Sequence, residues 1–304
     1  MTLNRRRAVL GATLLGGALL GSRMLSDTAG AQPASARLTT ILDGGFSVPV
    51  ASTAANRDSN QIRELLQAAG HPTDSTSTVL NVSLIRRGSD VILFDCGAGK
   101  NFVPGTGKLL DGLTAAGVEP EDVTRVIFTH AHPDHLWGAL DEFDTPAFPK
   151  ASYHVSAAEW DDWFAADVYQ RLPEDRHSFA AGAQRILKVL EPVTKRFKPG
   201  SEPVPGVLAV AAPGHTAGHC VFEVMADGGP TLIGGDAMTH PVISFLRPDW
   251  AGGFDSDPAQ AAITRKALLD RAATDRLRLV GYHLPNGGAG YVERTGAAYR
   301  FVQG

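Results

Sequence analysis

The stretch Thr129-His130-Ala131-His132-Pro133-Asp134-His135-Leu136-Trp137-Gly138 packs three of the chain's ten histidines and a carboxylate into six consecutive positions. Imidazole and carboxylate donors at that density suit a borderline divalent ion such as zinc, which takes nitrogen and oxygen ligands in tetrahedral or five-coordinate geometry. A solvated turn has no need of them. Donors of the same kind recur downstream: His215 and His219 in Pro213-Gly214-His215-Thr216-Ala217-Gly218-His219, Asp236 after Gly234-Gly235, and His283 after Tyr282.

Each of these donors follows a short apolar run. Arg125-Val126-Ile127-Phe128 reads as a buried strand ahead of the first cluster, and Pro133 argues against a helix through the cluster, so the histidines are expected on a loop leaving that strand. Val207–Val210 leads to His215, Thr231–Ile233 to Asp236 and Leu277–Val280 to His283. Upstream, Leu80, Val82 and Leu84 alternate with polar residues, Gly88-Ser89-Asp90 turns the chain, and Val91–Phe94 returns it as a hairpin ending at Asp95-Cys96-Gly97. Helical spacing is seen over Gln61–Ala69 and Leu109–Ala116. Between the first helix and the hairpin, His71-Pro72 begins a Thr/Ser-rich link. Ser156-Ala157-Ala158-Glu159 reads as a capping box opening a helix with Trp160, Trp163 and Phe164. Asp257-Pro258 opens another that runs to about Ala273. Composition and periodicity alone give an α/β or α+β chain.

The chain has 304 residues, 43% hydrophobic and 20% charged, enough for a substantial core. Residues 1–31 read as an export signal: Arg5-Arg6-Arg7 precedes a soft apolar stretch from Ala8 to Leu20, then Ala29-Gly30-Ala31, with cleavage after residue 31 or as late as 36. The Arg6-Arg7 pair and the Gly/Ala-rich apolar stretch have the character of a twin-arginine signal, which exports folded proteins through its own machinery. The expected location is the periplasm or outside the cell, with residues 38–304 as the working domain. That apolar stretch is shorter than the roughly 20 residues a membrane-spanning helix needs. Four of the 28 basic and one of the 32 acidic residues lie in 1–31, leaving a formal charge of −7 that does not invite nucleic acid. Two cysteines, Cys96 and Cys220, make no disulfide framework.

His130-Ala131-His132-Pro133-Asp134-His135 resembles the His-x-His-x-Asp-His signature of the metallo-β-lactamase superfamily, and Gly214-His215-Thr216-Ala217-Gly218-His219 is similar to its Gly-His-Thr-x-Gly-His pattern. The resemblance implies a four-layer αβ/βα sandwich, with two sheets face to face, helices outside and two Zn2+ or other divalent ions along one edge. It implies that His130, His132 and His215 hold one ion, that Asp134, His135 and His283 hold the other, and that Asp236 bridges them. A hydroxide between the ions is then the nucleophile, with Asp134 orienting it or moving its proton. Asp95 accepts a hydrogen bond from a ligand histidine, and His219 supports the site without ligating.

Tyr282-His283-Leu284-Pro285 and Tyr299-Arg300-Phe301-Val302 resemble the carboxy-terminal pattern of methyl parathion hydrolases and their lactonase-like relatives. That implies a small neutral substrate: an ester, a lactone such as an acyl-homoserine lactone, or a phosphotriester. The β-lactamase branches do not place a bridging Asp at the position of Asp236, so β-lactams are not expected. Trp137, Trp160, Trp163, Phe245, Trp250 and Phe254 are candidates for an apolar pocket, with His240 on its wall. A mononuclear iron dioxygenase and a non-catalytic periplasmic metal-binding protein are the alternatives. Oligomeric state is left open, a homodimer included.

Overall fold

The computed structural model describes residues 36–304, and the leader expected over residues 1–31 lies outside them. Two six-stranded sheets form the middle of the fold. In the first, β1 (Arg37–Pro49), β2 (Ser75–Arg87), β3 (Asp90–Phe94), β4 (Arg125–Ile127), β5 (Ser152–Ser156) and β6 (Thr194–Phe197) lie side by side in chain order. The second runs β7 (Val207–Ala211), β8 (Cys220–Ala226), β9 (Gly229–Ile233), β10 (Arg278–Val280), β11 (Ala289–Thr295) and β12 (Ala298–Gln303).

Three apolar layers show why the chain stacks this way. Ile85, Ile92, Phe94 and Ile127 of the first sheet meet Ala209, Phe222, Ile233 and Val280 of the second. Leu84, Leu93 and Val126, on the opposite face of the first sheet, pack with α2 (Leu109–Ala115), α4 (Ala157–Trp163) and α6 (His177–Leu190). Val221, Leu232 and Leu279 meet Leu268, Leu269 and Ala272 of α8 (Pro258–Asp275). Alternate residues of each strand thus feed opposite layers, as a pleated strand buried on both faces requires. The result is the αβ/βα sandwich expected from the resemblance.

Strand direction sets where the chemistry falls. β3 and β4 run parallel, and so do β9 and β10. β7 is antiparallel to β8 and β8 to β9, so β7 shares the direction of β9. The carboxyl ends of these strands release Asp95, the His130 cluster, His215, Asp236 and His283.

Three local readings are corrected. Pro133 does not keep the cluster out of a helix: it occupies the first position of a one-turn helix, α3 (Pro133–Leu136), where its missing N–H costs nothing. The His132 carbonyl accepts from both His135 and Leu136 N–H. Much of the Thr/Ser-rich link is strand, because Ser75–Val79 pairs with Gly45–Pro49 of β1 and β-branched Thr suits such a ribbon. Helix α6 is absent from the expected elements although Ala180, Ala183, Ile186, Leu187 and Leu190, its buried face, recur at helical spacing.

Candidate metal centre

The sandwich edge brings all seven donors together. Ligand atoms of His130, His132 and His215 lie within 4.8 Å of one another, as do those of His130, His135 and Asp236, and those of Asp134, His135 and His283. His132 Nδ1 is 2.9 Å from His215 Nε2. Asp236 reaches both sides: Oδ1 is 3.1 Å from His135 Nε2, while Oδ2 is 3.3 Å from His215 Nε2 and 3.1 Å from His283 Nε2. Asp134 Oδ2 lies 3.4 Å from His283 Nε2 and 3.8 Å from His135 Nε2.

Most of these imidazoles are held from behind at their other nitrogen. His135 Nδ1 is 2.8 Å from Asp95, His215 Nδ1 3.0 Å from Asp255, and His283 Nδ1 2.9 Å from the Val79 carbonyl. His130 Nδ1 is 3.0 Å from Thr129 Oγ1. Such partners fix the tautomer and aim the free nitrogen. Asp95 sits at φ 68°, a conformation few non-glycine residues adopt, and it repays the strain by accepting Thr129 N–H and Oγ1–H as well. His219 has no free nitrogen. Its Nε2 accepts the Asp236 N–H at 3.0 Å and its Nδ1–H donates to the Ala212 carbonyl at 3.1 Å. Burial pushes its pKa down to about 3, so it stays neutral and supports Asp236 rather than binding.

His130 Nε2, His135 Nε2 and Asp236 Oδ1 are buried and accept or donate no hydrogen bond. The 3.1 Å between His135 Nε2 and Asp236 Oδ1 falls off the line a hydrogen bond needs. An unsatisfied buried polar atom costs on the order of 1–3 kcal/mol. Three of them converging on one point is what a cation removes, so the donor set fits divalent metal. Burial drives the pKa values of His130 and His132 well below the ordinary imidazole range, leaving them neutral and fit to donate lone pairs. Asp236 is held well below the carboxylate range because His283 and His135 outweigh its burial.

Three supporting residues escaped the sequence reading. Asp255 ties His215 to Arg265, a buried arginine of α8 that also donates to the carbonyls of Ala237, Pro248 and Trp250. Asn81, on a β2 position expected to face water, is buried and donates to the carbonyls of Gly281, Tyr282 and Leu284 on either side of His283. Glu159, expected as the second half of a capping box, makes no such cap. It is fully buried and accepts from Ala131 N, Trp163 Nε1, Thr216 Oγ1 and Gly218 N. No local rule marks these residues, because the partners that tie them to the donor segments are distant in sequence.

A cleft of about 840 Å3, solvent at its mouth included, opens above the donors. Its floor carries His132, Asp134, His215, Asp236 and His283, and its wall Phe46, Val48, Phe102, Phe179 and Phe254, with Thr76, Thr78 and His240 as polar members. Among the described residues, no Lys or Arg lines it. His240 and Phe254 therefore stand where the sequence reading put them. The other five aromatic candidates do not line the cleft. Trp160 and Trp163 are buried in the layer between the first sheet and its helices. Trp163 is spent on Glu159 and on an edge contact with His132 at 5.9 Å, and Trp160 lies under the Arg196 guanidinium. Phe245 is buried between α8 and the second sheet, and Trp250 lies beneath Arg247. Trp137 stands one step behind the wall, edge-on to Phe102 at 5.8 Å.

Residues 78–283 match the family model described as the metallo-beta-lactamase superfamily. An N-acyl homoserine lactonase from a Bacillus species is 26% identical over 159 residues, 52% of this chain and 55% of that protein. The chain thus spans about half the length of that curated relative. Among solved structures, AidC, a dizinc quorum-quenching lactonase in complex with the product N-hexanoyl-L-homoserine, is 26% identical with a TM-score of 0.84, covering 90% of this chain and 96% of that one. The hydrolase AbOPH is also 26% identical, with a TM-score of 0.81 and coverage of 90% and 98%. With the family match spanning most of the described residues and every histidine and aspartate of its signatures gathered at one sandwich edge, the chain belongs to the metallo-beta-lactamase superfamily.

Proposed function

We propose that the chain is a metal-dependent hydrolase of neutral esters and lactones, with N-acylated homoserine lactones as the favoured class and phosphotriesters as a further one. The observation that carries this reading is the cleft: a floor of five of the seven metal-type donors under aromatic walls, with no Lys or Arg among the described residues that line it. An uncharged head with an apolar arm fits it, whereas an anionic arm would find no cationic side chain on the lining to hold it. The lactonase relatives point to the same class.

His130, His132 and His215 would hold one ion and Asp134, His135 and His283 the other, with Asp236 offering an oxygen to each side. When bound, a pair of zinc-type ions supplies an activated water and polarises the carbonyl under attack. The chain's own residues do the rest. Asp134, which lines the cleft and remains partly open to it, is placed to orient that water and take its proton. Tyr282 steadies Asp134 by donating to its carbonyl at 2.7 Å while stacking on His135 at 3.9 Å. The aromatic walls bind the arm and exclude water from the ester. Water adds across the acyl carbon–oxygen bond, leaving a carboxylate and a free hydroxyl.

Metal analysis of protein purified without added metal, with a panel of acyl-homoserine lactones, aryl esters, phosphotriesters and penicillins, tests the reading. Two zinc-type ions per chain and lactone turnover are expected, with little action on penicillins. One iron per chain would favour a dioxygenase, metal without turnover a binding protein, and strong penicillin turnover with inert esters would overturn the substrate class. We also propose export through the twin-arginine route from residues 1–31, into the periplasm or beyond. Replacing Arg6 and Arg7 by Lys should trap the precursor in the cytoplasm, and unchanged export would remove that proposal.

A further inference from the structure

Glu159 is a buried carboxylate with no role in the hydrolysis outlined above, and its surroundings are unusual. It is fully buried on the first turn of α4, and neither a Lys nor an Arg pairs with it at salt-bridge distance among the described residues. Its four partners are all donors. Oε1 accepts from Ala131 N at 2.8 Å and Trp163 Nε1 at 2.7 Å, and Oε2 from Thr216 Oγ1 at 2.6 Å and Gly218 N at 3.1 Å. Three of these partners, Ala131 N–H, Trp163 Nε1–H and Gly218 N–H, can only donate, so both carboxyl oxygens are held as acceptors, while the Thr216 hydroxyl can donate or accept.

The positions of those donors in the chain matter more than their number. Ala131 lies between His130 and His132. Thr216 and Gly218 lie between His215 and His219. One carboxylate therefore holds the backbones of the two loops that supply His130, His132 and His215, which come from different sheets. The loops are also joined at their base, where Cys220 N donates to the Thr129 carbonyl at 2.9 Å. Glu159 is the second tie, on the side of His132. The approach is close: a Cβ on Gly218 would lie 1.9 Å from the Glu159 nitrogen, so the second loop rests directly on the turn of α4. No comparable link runs from Glu159 to Asp134, His135 or His283.

We infer that Glu159 is a positioning residue that sets the separation of His132 from His215 and so tunes the affinity of the three-histidine half of the centre selectively. This rests on the reading of that half as a metal site, and not on lactone hydrolysis. A carboxylate that orients a ligand at one remove typically changes metal affinity by about 10–100-fold. Here the change should fall on one ion of the pair.

The test is Glu159→Gln, which keeps the shape but sets an amide N–H against at least one N–H donor, Gly218 on one side or Ala131 and Trp163 on the other. Zinc(II) affinities of the full chain, stripped and reloaded, are measured by chelator competition, and cobalt(II) absorption reports the two ion environments separately. The first ion is expected to weaken by about 10–100-fold, with its cobalt band shifted and by more than any fall in the thermal midpoint of the stripped protein accounts for, while the second ion changes little. Thr216→Val, which removes one donor and leaves the anion, should move the same ion in the same direction by less, and it keeps the test open if Glu159→Gln folds poorly. Equal weakening of both ions, or a loss that tracks the stability of the stripped protein, would reduce Glu159 to a fold anchor and overturn the inference. So would wild-type affinities in both variants. Failure of the lactone reading shows separately, as zinc-loaded wild-type protein without turnover.

Discussion

At and beneath the floor of the cleft, His135, His215 and His283 are each fixed at a second nitrogen by Asp95, Asp255 and the Val79 carbonyl, while His219 has both nitrogens occupied. On the wall, Phe46, Phe102, Phe179 and Phe254 come from four separate segments, held by packing such as the edge-on pair Phe46–Phe102 at 5.7 Å. Hydrogen bonds are short-ranged and directional, so the floor tolerates little displacement. Ring packing is broad and forgiving. One surface can thus be exchanged while the other is kept: floor substitutions should act on metal content and kcat, wall substitutions on KM and chain-length preference.

Asp236 puts that division to its most severe test. Two dications a few ångströms apart repel, and this carboxylate is the anion reaching both sides of the centre. Asp236→Ala or Asp236→Asn should bring metal content toward one ion per chain and cut kcat on the order of a hundredfold or more, read by metal analysis and lactone turnover on folded protein. Two ions with full turnover in both variants would refute the bridging role. Next comes Asp255→Asn, one step further from the metal. His215 would lose its anionic partner and Arg265 its counter-charge, so metal affinity should fall by about tenfold or more. The unpaired buried guanidinium should lower stability by about 3 kcal/mol, measured by denaturant unfolding of the stripped protein.

That gradient also explains what was legible in the sequence. The donors were, because histidine-rich spacing within six residues and short apolar runs ahead of each donor are local signals. The sandwich followed from the resemblance those donors carry. Asp255, Asn81 and Glu159 were not: Asp255 meets His215 40 residues away, Asn81 meets the Tyr282 carbonyl 201 residues away, and Glu159 meets Ala131 and Gly218 28 and 59 residues away, so nothing beside them in the chain marks their reach to the donor segments. Glu159 was actively misleading, since Ser-x-x-Glu before an apolar helix has a local explanation that the tertiary structure overrides. The tryptophans failed for another reason. A large ring is equally at home in a core and in a pocket, and only the assembled packing decides. Phe46 and Phe102, wall residues from an edge-side strand and a loop, had no pattern that set them apart from ordinary core aromatics.

The smallest effects belong to the wall, and within it Phe179 and Phe254 mark two degrees of attachment to the floor. Phe179, on α6, sits edge-on to the His132 ring at 5.6 Å, so Phe179→Ala should raise KM for long-arm lactones and also disturb a metal donor, lowering kcat by a few-fold. Phe254 is 39% exposed and lies under the Arg176 guanidinium at 4.9 Å, away from any donor imidazole. Phe254→Ala removes only apolar area that a substrate arm would cover. Half-burying such a ring contributes about 1 kcal/mol, so KM for a long-chain lactone should rise by about fivefold, while kcat, metal content and KM for a short-chain lactone stay as they were. A steady-state comparison of one short and one long acyl chain on both variants decides it. If Phe254→Ala lowered kcat as much as Phe179→Ala does, wall and floor would be coupled, and the separation between an exchangeable surface and a fixed one would not hold for this cleft.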